Sequence, residues 1–380
     1  MLKKKCIFAI NLIHHNMKAL VLEAYNKLVY RDVEAPLPAS DEVLIRVKAC
    51  GICGSDVHGM DGSTGRRQPP VIMGHEASGV IVKTGADVSR WKEGDRVTFD
   101  STVYPLDDWY TLKGRYNLSE GREVVGVSPI EYKRHGAFAE YLAVPQHILH
   151  RIPDNVSFEQ AAMVEPAAVA AHAVRLSDIR VGDSAVVIGC GMIGVFIVRM
   201  LKAAGATPVI AVDVDEEKLK MAIKYGADVV VDTTNMSVTD TFRSHTKENN
   251  TGNSTDRFVA ETIRSYTKGR GVDVGFEAVG ISATVNLLID VLRKGAMAVL
   301  VGNLSQTIDF PLQKVVTSEI NVQGCCAICG EYEIVLDMIA DGSLNVNDML
   351  SVVAPLSEGA EWFRKLYHKE VLLNKVILKP

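Results

Sequence analysis

The ten residues Ala185-Val-Val-Ile-Gly-Cys-Gly-Met-Ile-Gly194 decide the fold. Four apolar residues read as a strand, and Gly189, Gly191 and Gly194 follow it as G-x-G-x-x-G before an apolar helix. The first glycine permits a tight turn, the second lets a pyrophosphate approach the backbone, and the third lets helix pack on strand. Met192 and Ile193 open that helix, whose free N–H groups and positive dipole end face the phosphates. Asp213 ends the next apolar strand, 19 positions after Gly194. A carboxylate there accepts hydrogen bonds from the ribose hydroxyls of NAD and repels the 2′-phosphate of NADP. Val214, Asp215, Glu216 and Glu217 follow, with no arginine to receive such a phosphate, so NAD is favoured.

Outward from this turn the chain alternates strand and helix. Residues 208–212 read as a strand, 216–225 as a helix and 229–231 as a strand; strands then fall at 274–278, 297–301 and 320–322, with a helix running to Leu292. That alternation predicts an α/β domain with a Rossmann-type, doubly wound parallel sheet. Residues 235–257 are polar and aperiodic and read as a surface insertion. Upstream, residues 18–144 carry short alternating segments separated by Gly, Asp and Pro, which predicts a β-rich domain. Ser157 and Gln160 form a capping box for a helix over 161–163, Glu165-Pro166 reads as a break, and a second helix is expected over 167–176.

A length of 380 residues predicts two domains. A net charge of −5 leaves no basic face for nucleic acid, and no apolar run is long enough for a membrane span. Residues 1–16 open with three lysines, but Asn11 interrupts the apolar run and no small-residue cleavage site follows, so they read as an N-terminal extension. Seven cysteines form no regular framework, which favours reduced thiols and a cytoplasmic location.

A second cluster of chemistry lies near the start. Cys53 sits in Gly-Ile-Cys-Gly-Ser-Asp-Val-His (51–58), and His75 and Glu76 follow in Gly-His-Glu. Thiolate, imidazole and carboxylate are zinc ligands, and catalytic zinc takes three protein ligands and keeps one position open. Spacing alone leaves His75 equally readable as a structural histidine in a turn.

Together G-I-C-G-S-D-x-H, G-H-E-x-x-G, K-x-G-D-R-V (92–97), G-x-F-A-E-Y (136–141), V-E-P (164–166) and G-x-G-x-x-G resemble the zinc-dependent medium-chain alcohol and polyol dehydrogenases, over nearly all of residues 18–380. Within them the chain is most similar to the sorbitol dehydrogenase branch. The resemblance implies a GroES-like β-rich catalytic domain (17–167 and 326–380) and a Rossmann NAD-binding domain (168–325). It implies one catalytic zinc on Cys53 and His75, with Glu76 and Glu165 completing the shell directly or through water. Ser55 and His58 match the hydroxyl and imidazole that pass the alcohol proton to solvent, with Glu76 alongside as a further proton-handling group. Asp56 and Arg96 match supporting positions. Lys218 matches a contact to the adenosine ribose, and Val279, Val301 and Gly302 match backbone beside the nicotinamide. The implied reaction is hydride transfer from a secondary alcohol, of polyol, sugar-alcohol or sugar-phosphate type, to NAD in a homodimer or homotetramer. A threonine- or inositol-type dehydrogenase, or a non-catalytic NAD-binding protein on this scaffold, are the alternatives.

The chain departs from the pattern at definite places. The four cysteines of a second, structural zinc correspond to Pro105, Asp108, Thr111 and Ser119, none a thiolate, so one metal per chain is expected. The Arg-Tyr pair that sorbitol dehydrogenases use to hold the polyol is replaced within Gly324-Cys-Cys-Ala-Ile-Cys-Gly330, and Gly59 stands where they carry an aromatic. Sorbitol itself is therefore not the expected substrate. Arg66 and Arg67 read as solvated surface arginines, with reach to a substrate phosphate or carboxylate as the alternative, and Cys326 and Cys329 as inert packing cysteines, with a redox pair or weak metal site as the alternative.

Overall fold

The computed structural model describes residues 16–127, 134–234, 254–371 and 373–380. The extension at residues 1–15 lies outside them. The expected insertion at 235–257 lies outside them up to residue 253; from Ser254 the backbone is a helix, Ser254–Ser265, not a loop. The chain forms two compact units, Pro166–Glu331 and the residues up to Glu165 together with Tyr332–Pro380.

In Pro166–Glu331 six strands form one sheet in the order Val229–Asp232, Val209–Asp213, Ala185–Ile188, Val272–Glu277, Leu292–Leu300, Asn321–Gly324. Every neighbouring pair is parallel. This order, 3-2-1-4-5-6 within the unit, is that of the Rossmann fold, and its reversal beside Ala185–Ile188 opens a crevice at the carboxyl ends of the strands. Val186, Ile188, Ile210, Val212 and Ala298 are buried in one core with Val259, Ile263, Leu288 and Ile289 from the helices. The central strand Ala185–Ile188, apolar and buried at every position, is what a sheet covered on both faces requires.

The other unit is built on a seven-stranded sheet. Its long strand Glu42–Gly51 pairs antiparallel with Glu76–Thr84, with Tyr141–Pro145 and with the C-terminal strand Lys375–Lys379. Asn16–Ala24, Lys27–Glu34 and Val71–Ile72 form a second sheet of three strands. This is the GroES-like, β-rich architecture the resemblance implied. The capping box of Ser157 and Gln160 is present on the helix Phe158–Ala162. The break expected at Glu165-Pro166 falls earlier, at Met163 between the two helices, and Glu165 and Pro166 lie in the first turn of the helix Val164–Arg175. A proline is tolerated there because its missing N–H would have had no helical partner. No helix among the described residues is long and apolar enough to cross a membrane.

At the amino ends of the central parallel strands one carboxylate ties several segments together. Asp273 accepts bonds from the Ser184 amide (2.9 Å) and hydroxyl (2.6 Å), from Arg293 Nε (2.6 Å) and from Arg270 (3.0 Å). Burial alone would raise its pKa, but the bonds from Arg293 and Ser184 outweigh burial and bring it down to about 2. A carboxyl depressed in the folded state stabilises the fold above its unfolded pKa and loses that contribution as pH falls through the folded value. Asp273→Asn is expected to cost about 2 kcal/mol at pH 7. The gap to the parent should narrow between about pH 4 and pH 2, and urea unfolding across that range measures it; a constant gap would refute the assignment.

Candidate active site

Strand Glu42–Gly51 delivers the chain to Cys53, which stands at the N-cap of the short helix Gly54–Gly59. The same strand pairs Gly51 with Glu76, so the second ligand segment begins beside the end of the first. Between Val71–Ile72 and Glu76–Thr84 the backbone turns through Gly74 at φ +96°, a conformation that favours glycine. A Cβ there would also press on Cys50 Sγ and Phe138. His75 and Glu76 leave this turn buried.

Ligand-type atoms of Cys53, His75 and Glu76 lie within 4.8 Å of one another, the one such group of three among the described residues. Glu165 stands outside that group, although its charge is felt by the same side chains. Burial, the largest influence on Glu165, and the nearby Glu76 raise its pKa to about 7 against the opposing pull of His75 and Lys375. Sulfur, imidazole nitrogen and carboxylate oxygen at this spacing fit zinc in a mixed-ligand site.

Two buried cations brace the donors. Lys375 Nζ donates to Glu76 Oε2 at 2.5 Å and to the Ile52 carbonyl at 3.2 Å. Burial would lower the Lys375 pKa, but Glu76 and Cys53 hold it above the usual lysine value. Arg67 donates to Asp56 Oδ1 at 2.5 Å and to Ser55 Oγ at 3.2 Å. Asp56 Oδ2 in turn faces His75 Nδ1 at 3.5 Å, though neither atom finds a hydrogen-bond partner. With Nδ1 turned towards Asp56, Nε2 is the ring atom left for a metal. Burial works against ionising Asp56, yet His75 and Arg67 bring it down to about 2. Ser55 Oγ donates to Cys53 Sγ at 3.2 Å, and His58 is exposed on the same helix.

Arg67 is therefore not the solvated surface arginine its sequence context implied. It is 2% exposed, while Arg66 remains at the surface. Arg96 is no part of the cluster; it clamps the carbonyls of Pro153, Asp154 and Val156 and lies over the Phe158 ring. Asp108, at one of the positions where a second zinc would need a thiolate, instead caps the helix Trp109–Leu112. Cys325, Cys326 and Cys329 form no disulfide, and burial pushes the Cys325 thiol up to about 12, a protonated and unreactive state.

In Pro166–Glu331 the glycine turn has the shape its sequence demands. A Cβ on Gly194 would drive into the Gly189 carbonyl, so only glycine lets the helix Met192–Ala203 start so close to the strand. That helix has no side-chain cap, which leaves the first-turn amides of Met192, Ile193 and Gly194 for an anion. Asp213 is fixed at both oxygens: Oδ2 accepts from the Cys190 amide (2.7 Å) and Oδ1 from Val214 (2.8 Å) and Asp215 (3.0 Å). Lys218 Nζ lies 3.9 Å from Asp213 Oδ1. Glu277, which no spacing singled out, organises the segments containing Val279, Val301 and Gly302. Its Oε1 accepts from the amides of Val279 and Gly280 and from Thr284, and its carbonyl accepts from Val301 and Gly302. The remaining oxygen, Oε2, is buried without a partner. The one hint in the sequence was a carboxylate in the otherwise apolar end of the strand Val272–Glu277.

Comparison with known proteins bears on both units. The alcohol dehydrogenase GroES-like domain model matches residues 39–154, and the zinc-binding dehydrogenase model matches residues 193–341. The chain is 31% identical over 354 residues to the probable D-xylulose reductase A of Aspergillus clavatus, covering 92% of this chain and 93% of that protein. It is 31% identical over 347 residues to the D-arabitol-phosphate dehydrogenase of Enterococcus avium, covering 90% and 91%. The crystal structure of 2R,3R-butanediol dehydrogenase from Bacillus subtilis superposes with a TM-score of 0.79 at 31% identity, over 96% of this chain and 99% of that one. A GroES-like unit carrying a sulfur–nitrogen–oxygen donor cluster and a Rossmann unit with an open glycine turn thus occur in one chain, which belongs to the zinc-binding alcohol dehydrogenase family.

Proposed function

We propose that this protein oxidises a secondary hydroxyl of a polyol or sugar alcohol, free or phosphorylated, with NAD as acceptor, at one zinc held by Cys53, His75 and Glu76 with Glu165 close behind. The convergence of three different donor atoms within 4.8 Å carries the reading. The substrate class is supported by the relatives, a xylulose reductase and an arabitol-phosphate dehydrogenase. NAD is supported by Asp213, whose fixed carboxylate leaves no room in charge for a 2′-phosphate. Cysteines that form no disulfide fit a reducing cytoplasmic compartment, and a homodimer or homotetramer is the assembly this reading carries.

When bound, zinc supplies Lewis acidity that brings an alcohol's pKa towards neutrality, and the nicotinamide accepts the hydride. The chain's own groups do the rest. Asp56 orients His75, and Lys375 holds Glu76 in place. Ser55 Oγ is the first acceptor for the substrate proton, and the exposed His58 releases it to solvent. Met192, Ile193 and Gly194 present amides to the pyrophosphate, Asp213 and Lys218 take the adenosine ribose, and Glu277 sets the backbone of Val279, Val301 and Gly302 beside the nicotinamide.

Cys53→Ser should reduce zinc from about one per chain to near zero and lower NADH formation by on the order of 100-fold or more, measured by metal analysis and a panel of polyols and polyol phosphates. Retained zinc or unchanged turnover would refute the site. Asp213→Ser should raise the KM for NAD roughly 10-fold to 100-fold and improve use of NADP. Poorer use of both cofactors would instead mark Asp213 as merely structural. In chelator-treated protein Lys375→Met should cost about 3–5 kcal/mol in urea unfolding, because Glu76 is left buried without its cation. Adding Glu76→Gln should recover most of that loss.

A further inference from the structure

Arg67 heads the largest fully buried side chains of the protein. Burying a guanidinium is costly unless paired charge and hydrogen bonds compensate it. Asp56 compensates the charge, but Nε is left without a partner, so the pairing is incomplete. An arginine kept at this expense invites the question of what it holds.

Its contacts answer it. One nitrogen, Nη2, donates both to Asp56 Oδ1 at 2.5 Å and to Ser55 Oγ at 3.2 Å. From Asp56 the chain of contacts reaches His75 at 3.5 Å, and from Ser55 it reaches Cys53 Sγ at 3.2 Å. A second observation concerns room. A Cβ on Gly59 would lie 3.2 Å from Arg67 Cγ, closer than side chains normally pack, and in ordinary contact with Cδ at 3.4 Å and Nε at 3.5 Å. Glycine at position 59 thus leaves Arg67 Cγ room against the helix Gly54–Gly59. The Arg67 backbone is itself anchored, its carbonyl accepting from Tyr25 Oη at 3.2 Å.

We propose that Arg67 is a positioning residue for the metal site. One buried cation fixes His75 through Asp56 and Cys53 through Ser55, so that two ligands from separate segments share one brace, and Gly59 is its structural complement. The inference rests on the reading of Cys53, His75 and Glu76 as zinc ligands. Arg67 does not meet substrate; its effect is on metal retention and on the turnover of bound substrate.

Two variants keep the net charge of the site constant, and Arg67→Lys also leaves the Asp56 carboxylate facing His75, so that a change in its zinc binding reports lost geometry. Arg67→Lys keeps the cation but shortens its reach. The double variant Asp56→Asn with Arg67→Met removes both charges together and avoids leaving a carboxylate buried alone. Zinc affinity is measured by competition with a chromophoric chelator, alongside separate kcat and KM values on the best substrate of the panel. Zinc binding about 10-fold to 100-fold weaker, with kcat reduced and KM changed less than about 3-fold, is the expected result for both. Folded variants that bind zinc as tightly as the parent would overturn the proposal, as would a loss confined to KM, which would place Arg67 against the substrate. A parent protein that holds no zinc would instead overturn the functional reading on which the proposal stands, and the two failures are told apart by the first titration.

Discussion

Two buried charge pairs, Asp56 with Arg67 and Glu76 with Lys375, govern the GroES-like unit. Each of these charges would cost several kcal/mol to remove from water alone, so the fold is viable only where they meet in pairs. Lys375 reaches Glu76 from 299 positions away in sequence, and the strand Lys375–Lys379 must lie against Glu42–Gly51 for it to do so. The other pair closes over 11 positions, Arg67 folding back under the helix that carries Asp56. Glu76 is held by Lys375, Asp56 faces His75 and Ser55 links Arg67 to Cys53, so the arrangement that neutralises the buried charge also fixes the donor cluster. Stability and ligand geometry have one cause here.

The Rossmann-type unit keeps them apart. Asp273 gathers Ser184, Arg270 and Arg293 at the amino ends of the parallel strands. Asp213 and Glu277 do corresponding work at the carboxyl ends, where each binds backbone amides of loops. A parallel sheet directs all its strand ends of one kind to one edge, so bracing one edge leaves the loops of the other free for a ligand. That separation is why a loss at Asp273 should appear in unfolding while a loss at Asp213 appears in cofactor choice.

What the sequence made legible follows the same division. Glycine spacing, apolar strands and strand–helix alternation are local signals, and they anticipated the parallel sheet, the turn at Gly189–Gly194 and the place of Asp213. Ligand-type residues near Cys53 and His75 were visible because their motifs are short. Lys375, Arg67 and Glu277 were not, since burial of a charged side chain is decided by partners far away in sequence; a run such as Gly65-Arg66-Arg67-Gln68 reads as surface until Asp56 is placed beneath it. Glu165-Pro166 misled for a different reason. Proline opposes helix only where its missing N–H and its ring matter, and the first turn is where they do not.

Ser55 shows how closely the two charge pairs constrain chemistry. A hydroxyl has one proton to give and two lone pairs to offer. In this structure the proton is directed at Cys53 Sγ and one lone pair is taken by Arg67. One lone pair is left to receive a proton, and the hydroxyl can pass its own on only by turning away from the sulfur while Arg67 keeps the oxygen in place. A serine held at the oxygen but free in its O–H rotor can relay a proton without being displaced, whereas a serine anchored only by its own proton would lose its position in donating it. The buried guanidinium is therefore of use to Ser55 for the same reason it is of use to Asp56: it holds an oxygen while leaving the opposite side of that group to act.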